Sequence, residues 1–293
     1  MSPAPAPARR LAAALEPIAG QAQFSPECQA AYETLGFDPS PGMVGSTVIP
    51  DRSAYFTARG SVLGDARPSV VVAAFGVFAP EVMTPLVVRG QQVAAADVMW
   101  EARQGGAAAQ LRRVLGEHNA MGEVSQRLLA AVEALPVSGR PLFAGQRDLP
   151  LPDDPIGRLW RGCDMLREHR GDAHIVAWSA EGLNGLEVGL LGDLYWGLNS
   201  RGHTSGRGWT DDQMAAAEED LARRGLLVDG GRSITPAGRD LRERIEARTD
   251  ELMGPALTVL GDELDGIVNT MTPWGEALIA TGAYLSPLVR FTF

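Results

Sequence analysis

Apolar positions recur three and four residues apart through most of the chain, with polar residues between them. That spacing predicts helices over residues 9–18, 26–35, 93–115, 123–135, 156–169 and 211–224. β-Branched runs are scarce. Val70-Val71-Val72 is one, yet its alanine-rich surroundings suit a buried helix at least as well. Strand signals are confined to a stretch near residues 226–234, so the pattern predicts a mainly α protein. Between 138 and 155 the pattern lapses. Gly139, Pro141, Pro150, Pro152 and Pro155 crowd together with Asp153 and Asp154, which reads as a connection between two halves.

The sharpest local signal lies in the second half. Thr210 precedes Asp211 and Asp212, a capping hydroxyl followed by carboxylates at the positive end of a helix. The helix continues through Met214, Ala217 and Leu221 to Arg223-Arg224, and Gly225 ends it. Leu226-Leu227-Val228, a turn at Asp229-Gly230-Gly231, and Arg232-Ser233-Ile234 then form a hairpin. Thr235-Pro236 opens the next helix, which continues to about Leu252.

The order Leu221-Ala222-Arg223-Arg224-Gly225-Leu226, then Ile234-Thr235-Pro236-Ala237-Gly238, resembles the wing of MarR-type regulators. Three further stretches carry a broader resemblance: Leu166–His174, Arg207–Asp212 and Glu246–Asp250. With the weaker Tyr55-Phe56-x-x-Arg59 and Leu63-Gly64, they make the chain similar to a family of duplicated winged-helix (helix-turn-helix) proteins abundant in actinobacteria. The resemblance implies two winged-helix-like repeats packed as a pseudo-dimer, with a small β-wing in the C-terminal repeat only. Residues 1–150 would form a degenerate winged-helix-like helical domain, and 151–293 a MarR-like winged-helix domain with C-terminal helices. A weak internal repeat agrees: Gly64-Asp65-Ala66-Arg67 recurs as Gly171-Asp172-Ala173-His174, and Glu81-Val82 as Glu187-Val188, at offsets of 107 and 106 residues.

Charge complicates the DNA-binding role that such a fold suggests. The net charge is −10, and the chain contains no lysine; all 26 basic residues are arginine. A helix lying in the major groove meets two strands of phosphate. Here the helix in that position carries Asp211, Asp212, Glu218, Glu219 and Asp220, with Arg223 and Arg224 only at its far end. Arg201, Arg207 and Arg232 are the residues that would touch a phosphate backbone. The balance disfavours DNA as a partner and favours a small-molecule ligand, including an aromatic one of the kind that MarR-type clefts hold.

Candidate chemistry concentrates at Glu168-His169-Arg170-Gly171-Asp172-Ala173-His174, where Gly171 permits a turn and Asp172 is placed to cap a following helix. His169, Arg170, Asp172 and His174 are the candidate catalytic residues, an acid–base set with Trp178 one turn beyond. Tyr55, Phe56, Arg59, Trp178, Tyr195 and Trp196 are the candidate ligand-binding residues, facing a pocket between the repeats. The set suits either binding or cofactor-independent isomerisation, cyclisation or hydration in specialised metabolism. A structural reading stands beside it: Asp172 only capping, Arg170 only pairing with Glu168 or Asp172, His174 satisfied in a core. The alternative function is a ligand-responsive MarR-type regulator.

Several chemistries drop out. Without lysine there is no Schiff base, no pyridoxal-phosphate attachment and no phosphate-loop lysine. No dinucleotide loop or nucleophile elbow is present, so no cofactor is expected. Cys28 and Cys163 fit neither a disulfide framework nor a zinc site, and no metal is expected. The apolar run near the N-terminus is short and interrupted by Glu16, unlike a signal peptide, and no stretch has the length of a membrane span. A cytoplasmic protein is expected, monomeric because one chain holds both copies, with a homodimer as the alternative.

Overall fold

The computed structural model describes residues 6–284. The chain is mainly α. In order it forms α1 (Pro7–Gly20), α2 (Pro26–Leu35), β1 (Gly42–Val44), β2 (Thr47–Ile49), α3 (Arg52–Gly60), α4 (Pro68–Phe75), α5 (Pro80–Val93), α6 (Ala96–Leu115) and α7 (Ala120–Glu133). There follow α8 (Pro141–Arg147), α9 (Pro155–Ala180), α10 (Gly185–Tyr195), α11 (Asp211–Arg223), β3 (Leu227–Val228), β4 (Ser233–Ile234), α12 (Pro236–Glu251), α13 (Gly254–Leu260) and α14 (Leu264–Ala280).

Contacts group these elements into two compact units that interleave along the sequence. The first gathers described residues 6–66, 86–172 and 250–284; the second gathers 67–85 and 173–249. A cut at residue 150 does not produce this arrangement. The chain passes from one unit to the other before α4 and inside α5, α9 and α12.

In the first unit, α1 packs along α14, α2 and α3 lie on α6, and α7 meets α13. Ser25 starts α2 by accepting from the Cys28 N–H, and Gly36 stops it with φ +104°, a conformation that costs other residues a steric penalty. An antiparallel hairpin follows, pairing Met43 with Val48, and Asp51 then caps α3 through the Ala54 N–H. This corrects two expectations: strands occur outside 226–234, and the first half does contain a hairpin after a glycine-ended helix. The order helix, glycine, hairpin, side-chain-capped helix recurs at α11–α12, though at a far longer offset than the 106–107 residues of the sequence repeat.

The second unit contains the predicted winged helix. Thr210 and Gln213 form a reciprocal capping box at the start of α11. Gly225 turns out of the helix at φ +72°, and β3 pairs with β4 through Leu227–Ile234 and Val228–Ser233. Thr235 then caps α12 by accepting from the Gly238 N–H at 3.0 Å. Gly238 is required there: a Cβ would come within 2.4 Å of the Leu226 carbonyl oxygen. The wing closes over a core of Trp178, Leu191, Met214, Leu221, Leu227, Leu241 and Ile245.

Two further expectations need correction. The segment 138–155 is not only a connection, because Pro141 at the first helical position starts α8, whose Leu142 and Phe143 are fully buried. The helix predicted over 156–169 does not end at His169. It continues as α9 through Gly171 to Ala180, so Asp172 lies inside a helix and caps no helix that follows it. A mid-helix glycine costs about 1 kcal/mol against alanine, and burial of Ala173, Ala177 and Trp178 beyond it outweighs that cost.

Candidate functional site

Helix α9 is buried over most of its circumference, and along one stripe the buried side chains are charged. Arg161, Asp164, Glu168 and Asp172, at spacings of three and four, all have little or no exposure. Charge taken out of water must be paired and hydrogen-bonded. The first unit supplies those partners in three groups.

At Glu168, Arg59 from α3 donates in a two-pronged contact, Nε to Oε1 at 2.8 Å and Nη2 to Oε2 at 2.7 Å. Arg167 donates to Glu168 at 3.2 Å and to both oxygens of Glu16 on α1, and the Tyr284 hydroxyl donates to Glu16 at 3.0 Å. Burial pushes the Glu168 carboxyl up, but the guanidinium groups of Arg59, Arg167 and Arg103 outweigh it and hold the group at about 2.

At Asp164, Arg103 from α6 donates at 2.8 Å and the Gln146 amide from α8 at 2.7 Å, both to Oδ2. The Arg103 guanidinium lies over the Trp160 ring at 5.1 Å and over Trp100 at 5.6 Å. Arg161 donates to the carbonyls of Pro150 and Gln146 and to the Gln104 amide oxygen. Burial leaves Asp164 raised above the usual carboxylate range despite Arg103.

At Asp172, Oδ2 accepts the Phe143 N–H of the first turn of α8 at 3.0 Å. Thus Asp172 does cap a helix, but one that precedes it in the chain. Its Oδ1 has no hydrogen-bond partner, although the residue is 2% exposed. Burial, chiefly, and then the Glu168 charge raise the carboxyl from 3.8 to about 7, against the Phe143 N–H, Arg59 and Arg140. Arg140, 5% exposed, donates from Nη1 to the Gly139 carbonyl, while its buried Nε has no partner. His169 stands edge-on to Phe143, centroids 4.9 Å apart, with Nδ1 3.2 Å from the Met253 sulfur. Burial and the neighbouring Arg140 charge lower its imidazole to about 4, so it is neutral near pH 7; the Pro136 carbonyl opposes the shift.

The expected site residues fall on both units. His169, Arg170, Asp172, Tyr55, Phe56 and Arg59 belong to the first, and His174, Trp178, Tyr195 and Trp196 to the second. Positions 169 and 172 share one face of α9, while 170 and 174 share another. Arg170 pairs with Asp250 at 3.0 Å rather than with Glu168 or Asp172. Phe56 is a core residue, 2% exposed and edge-on to Tyr55. In the second unit, the Thr249 hydroxyl donates to the Ile245 carbonyl, so His174 Nδ1, at 3.0 Å, donates to the Thr249 oxygen. Trp178 is core. Tyr195 donates to Glu243 and lies beneath Arg242, and Trp196 is 59% exposed.

Sequence reading missed Glu16, Arg103, Arg140, Gln146, Arg161, Asp164 and Tyr284, and gave Glu168 a role only as a partner for Arg170. The three-and-four spacing along α9 was a usable signal for four positions of the stripe. For the others, the partners lie far away in sequence, and no local pattern marks them.

The helix that would read DNA, α11, directs Met214, Glu218 and Leu221 inward and leaves Asp211, Asp212, Ala216, Glu219, Ala222 and Arg223 exposed. Arg201 grips Glu218 at 2.8 and 2.6 Å and Asp211 at 3.2 Å. Arg223 pairs with Asp220, and Arg224 with Glu187 at 3.2 Å. Arg232 is exposed on the wing.

Among the described residues, no helix is long and apolar enough to cross a membrane, and no group of three or more His, Cys, Asp and Glu residues is arranged to hold a metal ion. Both cysteines are free and buried, and burial pushes Cys28 up to about 11, far from a reactive thiolate. In comparison with known proteins, the model of a helix-turn-helix family matches residues 8–285. No curated protein and no solved structure matches the chain.

Proposed function

The chain belongs to this helix-turn-helix family, and we propose that it uses the scaffold to bind a small molecule rather than to read DNA. The carrying observation is a pair of buried groups of opposite hydrogen-bonding sense. Arg140 Nε is a donor without an acceptor, and Asp172 Oδ1 is an acceptor without a donor. Each unpaired buried polar group costs about 1–3 kcal/mol, and an unpaired charged group more. A ligand offering a carbonyl or carboxylate oxygen together with a hydroxyl or N–H would satisfy both. Asp172, titrating near 7 beside a neutral His169, also suits proton transfer in a cofactor-independent isomerisation, cyclisation or hydration.

The acidic exposed face of α11 and the carboxylate pairing of Arg201, Arg223 and Arg224 support the loss of DNA reading. The second reading, a MarR-type ligand-responsive regulator, draws on the family match and the exposed Arg232. The two hairpins, each between a glycine-ended and a capped helix, support two winged-helix-like repeats.

Native mass spectrometry of the gently purified protein tests the proposal. A small-molecule adduct is expected on the wild type and absent from Arg140→Met at an unchanged fold. A gel shift on the gene's own upstream DNA, weakening steeply with added salt, together with the lack of any adduct, would refute it.

A further inference from the structure

Helix α8 is fastened differently at its two ends. Near its C-terminus the attachments are Gln146 to Asp164 and Arg161 to the Gln146 and Leu149 carbonyls. At its N-terminus Pro141 has no N–H, and the preceding residue, Arg140, supplies no side-chain cap. The side-chain acceptor for that first turn comes instead from Asp172, on α9, through the Phe143 N–H. The carboxyl that holds the turn therefore sits in a 2% exposed site with its second oxygen unpartnered.

We propose that Asp172 and the first turn of α8 form a proton-dependent latch: protonated Asp172 keeps the turn closed, and its ionisation favours lifting of Pro141–Phe143, which brings Asp172, Arg140 and His169 to water. The inference does not depend on what the site binds. The charged and titratable groups facing Asp172 are Arg59 from α3, Arg140 before α8, and Glu168 and His169 from α9 itself. Glu168 is held ionised by Arg59 and His169 is neutral near pH 7, so Asp172 is the group of this cluster that titrates between pH 5 and 8.

The sign follows from linkage. In the closed site Asp172 titrates near 7; in water it returns to the ordinary 3.8. Between those values, opening releases a proton, so the opening equilibrium rises up to about tenfold per pH unit and levels off above 7. A carboxylate that stabilised the closed turn more than its burial destabilises it would show the opposite slope.

Hydrogen exchange of the α8 amides, corrected for the intrinsic pH dependence of exchange, reads this directly in the full chain. Between pH 5 and 7 opening is expected to increase by up to about 100-fold, then flatten to pH 9. Amides of α2, distant in sequence from any such latch, serve as the flat control. Asp172→Asn, which keeps an acceptor and removes the proton, should flatten the α8 profile. A flat wild-type profile, or one shared by α2, would overturn the latch. An unaltered slope in Asp172→Asn would overturn the assignment to Asp172. If that variant does not fold, a wild-type slope confined to pH values below 5 overturns the latch, and one ending near 7 upholds it.

Discussion

Replacing Glu168 by glutamine tests whether the buried charges of the first unit hold it together. Glu168 is 1% exposed and accepts both prongs of Arg59, whose own side chain is 15% exposed, as well as Arg167. Glutamine keeps the shape and one acceptor but removes the negative charge that faces the Arg59 guanidinium in a two-pronged contact. Breaking one partner of a buried pair costs roughly 3–5 kcal/mol. The titration of Glu168 gives an independent figure: displacement from 4.5 to about 2 corresponds to about 3 kcal/mol favouring the ionised, folded form. Because the folded value is depressed, that stability is fully present above pH 4.5 and is lost as the pH falls towards 2. Urea unfolding at pH 7, followed by two probes, should show Glu168→Gln destabilised by about 3 kcal/mol. The difference from wild type should shrink as the pH approaches 2. The double variant Arg59→Met/Glu168→Leu should recover at least half of the loss, since no charge then remains unpaired between them. A single variant within about 1 kcal/mol of wild type would refute the reasoning.

Two further outcomes follow from the same geometry. Gly238→Ala drives a methyl against the Leu226 carbonyl at 2.4 Å and the Ile234 side chain at 2.8 Å, so thermal unfolding should show a loss of about 1–3 kcal/mol. His169, depressed from 6.5 to about 4, contributes stability that is present above 6.5 and lost as the pH falls through 4. Denaturation between pH 7 and 4 should weaken the wild type by roughly 3 kcal/mol more than His169→Gln, and equal slopes would show that the imidazole is not buried neutral.

Where local chemistry decides structure, the sequence was readable. Ser25 before Pro26, Thr210 before Asp211, Gly225 and Thr235-Pro236 each fix a boundary through one cap or one left-handed turn, and α2 and α11 begin where predicted. The hairpin at 42–49 escaped notice because each strand is three residues long and lies among Pro39, Pro41 and Pro50. The stretch 168–174 suggested a loop because Gly171 and Asp172 are turn formers by themselves. Burial of α9 decides otherwise, and burial is a property of elements far away in the chain. One consequence is that neighbours in sequence part company: His169 and Asp172 turn towards Phe143 and Arg140, while Arg170 meets Asp250.

The arginine-only composition acquires a structural meaning at these sites. Arg161 is fully buried and reaches the Gln104 amide and the carbonyls of Gln146, Leu149 and Pro150 from two terminal nitrogens, while its plane covers Trp100 at 4.8 Å. Arg103 lies over Trp100 and Trp160 while pairing with Asp164. A lysine ammonium is a compact, strongly hydrated point charge and cannot distribute donors over a plane in this way. In the second unit the guanidinium groups of Arg201, Arg223 and Arg224 are likewise held by carboxylates of their own chain. A reader of DNA needs arginines whose donors face outward, ready to replace counterions on phosphate. Here Arg103, Arg161, Arg201 and Arg224 each commit at least one donor to a carbonyl or carboxylate within the fold, whereas Arg223 pairs with Asp220 at a site 74% exposed. The helix-turn-helix scaffold thus uses arginine as a packing residue as well as a charged one, which its planar, weakly hydrated head allows.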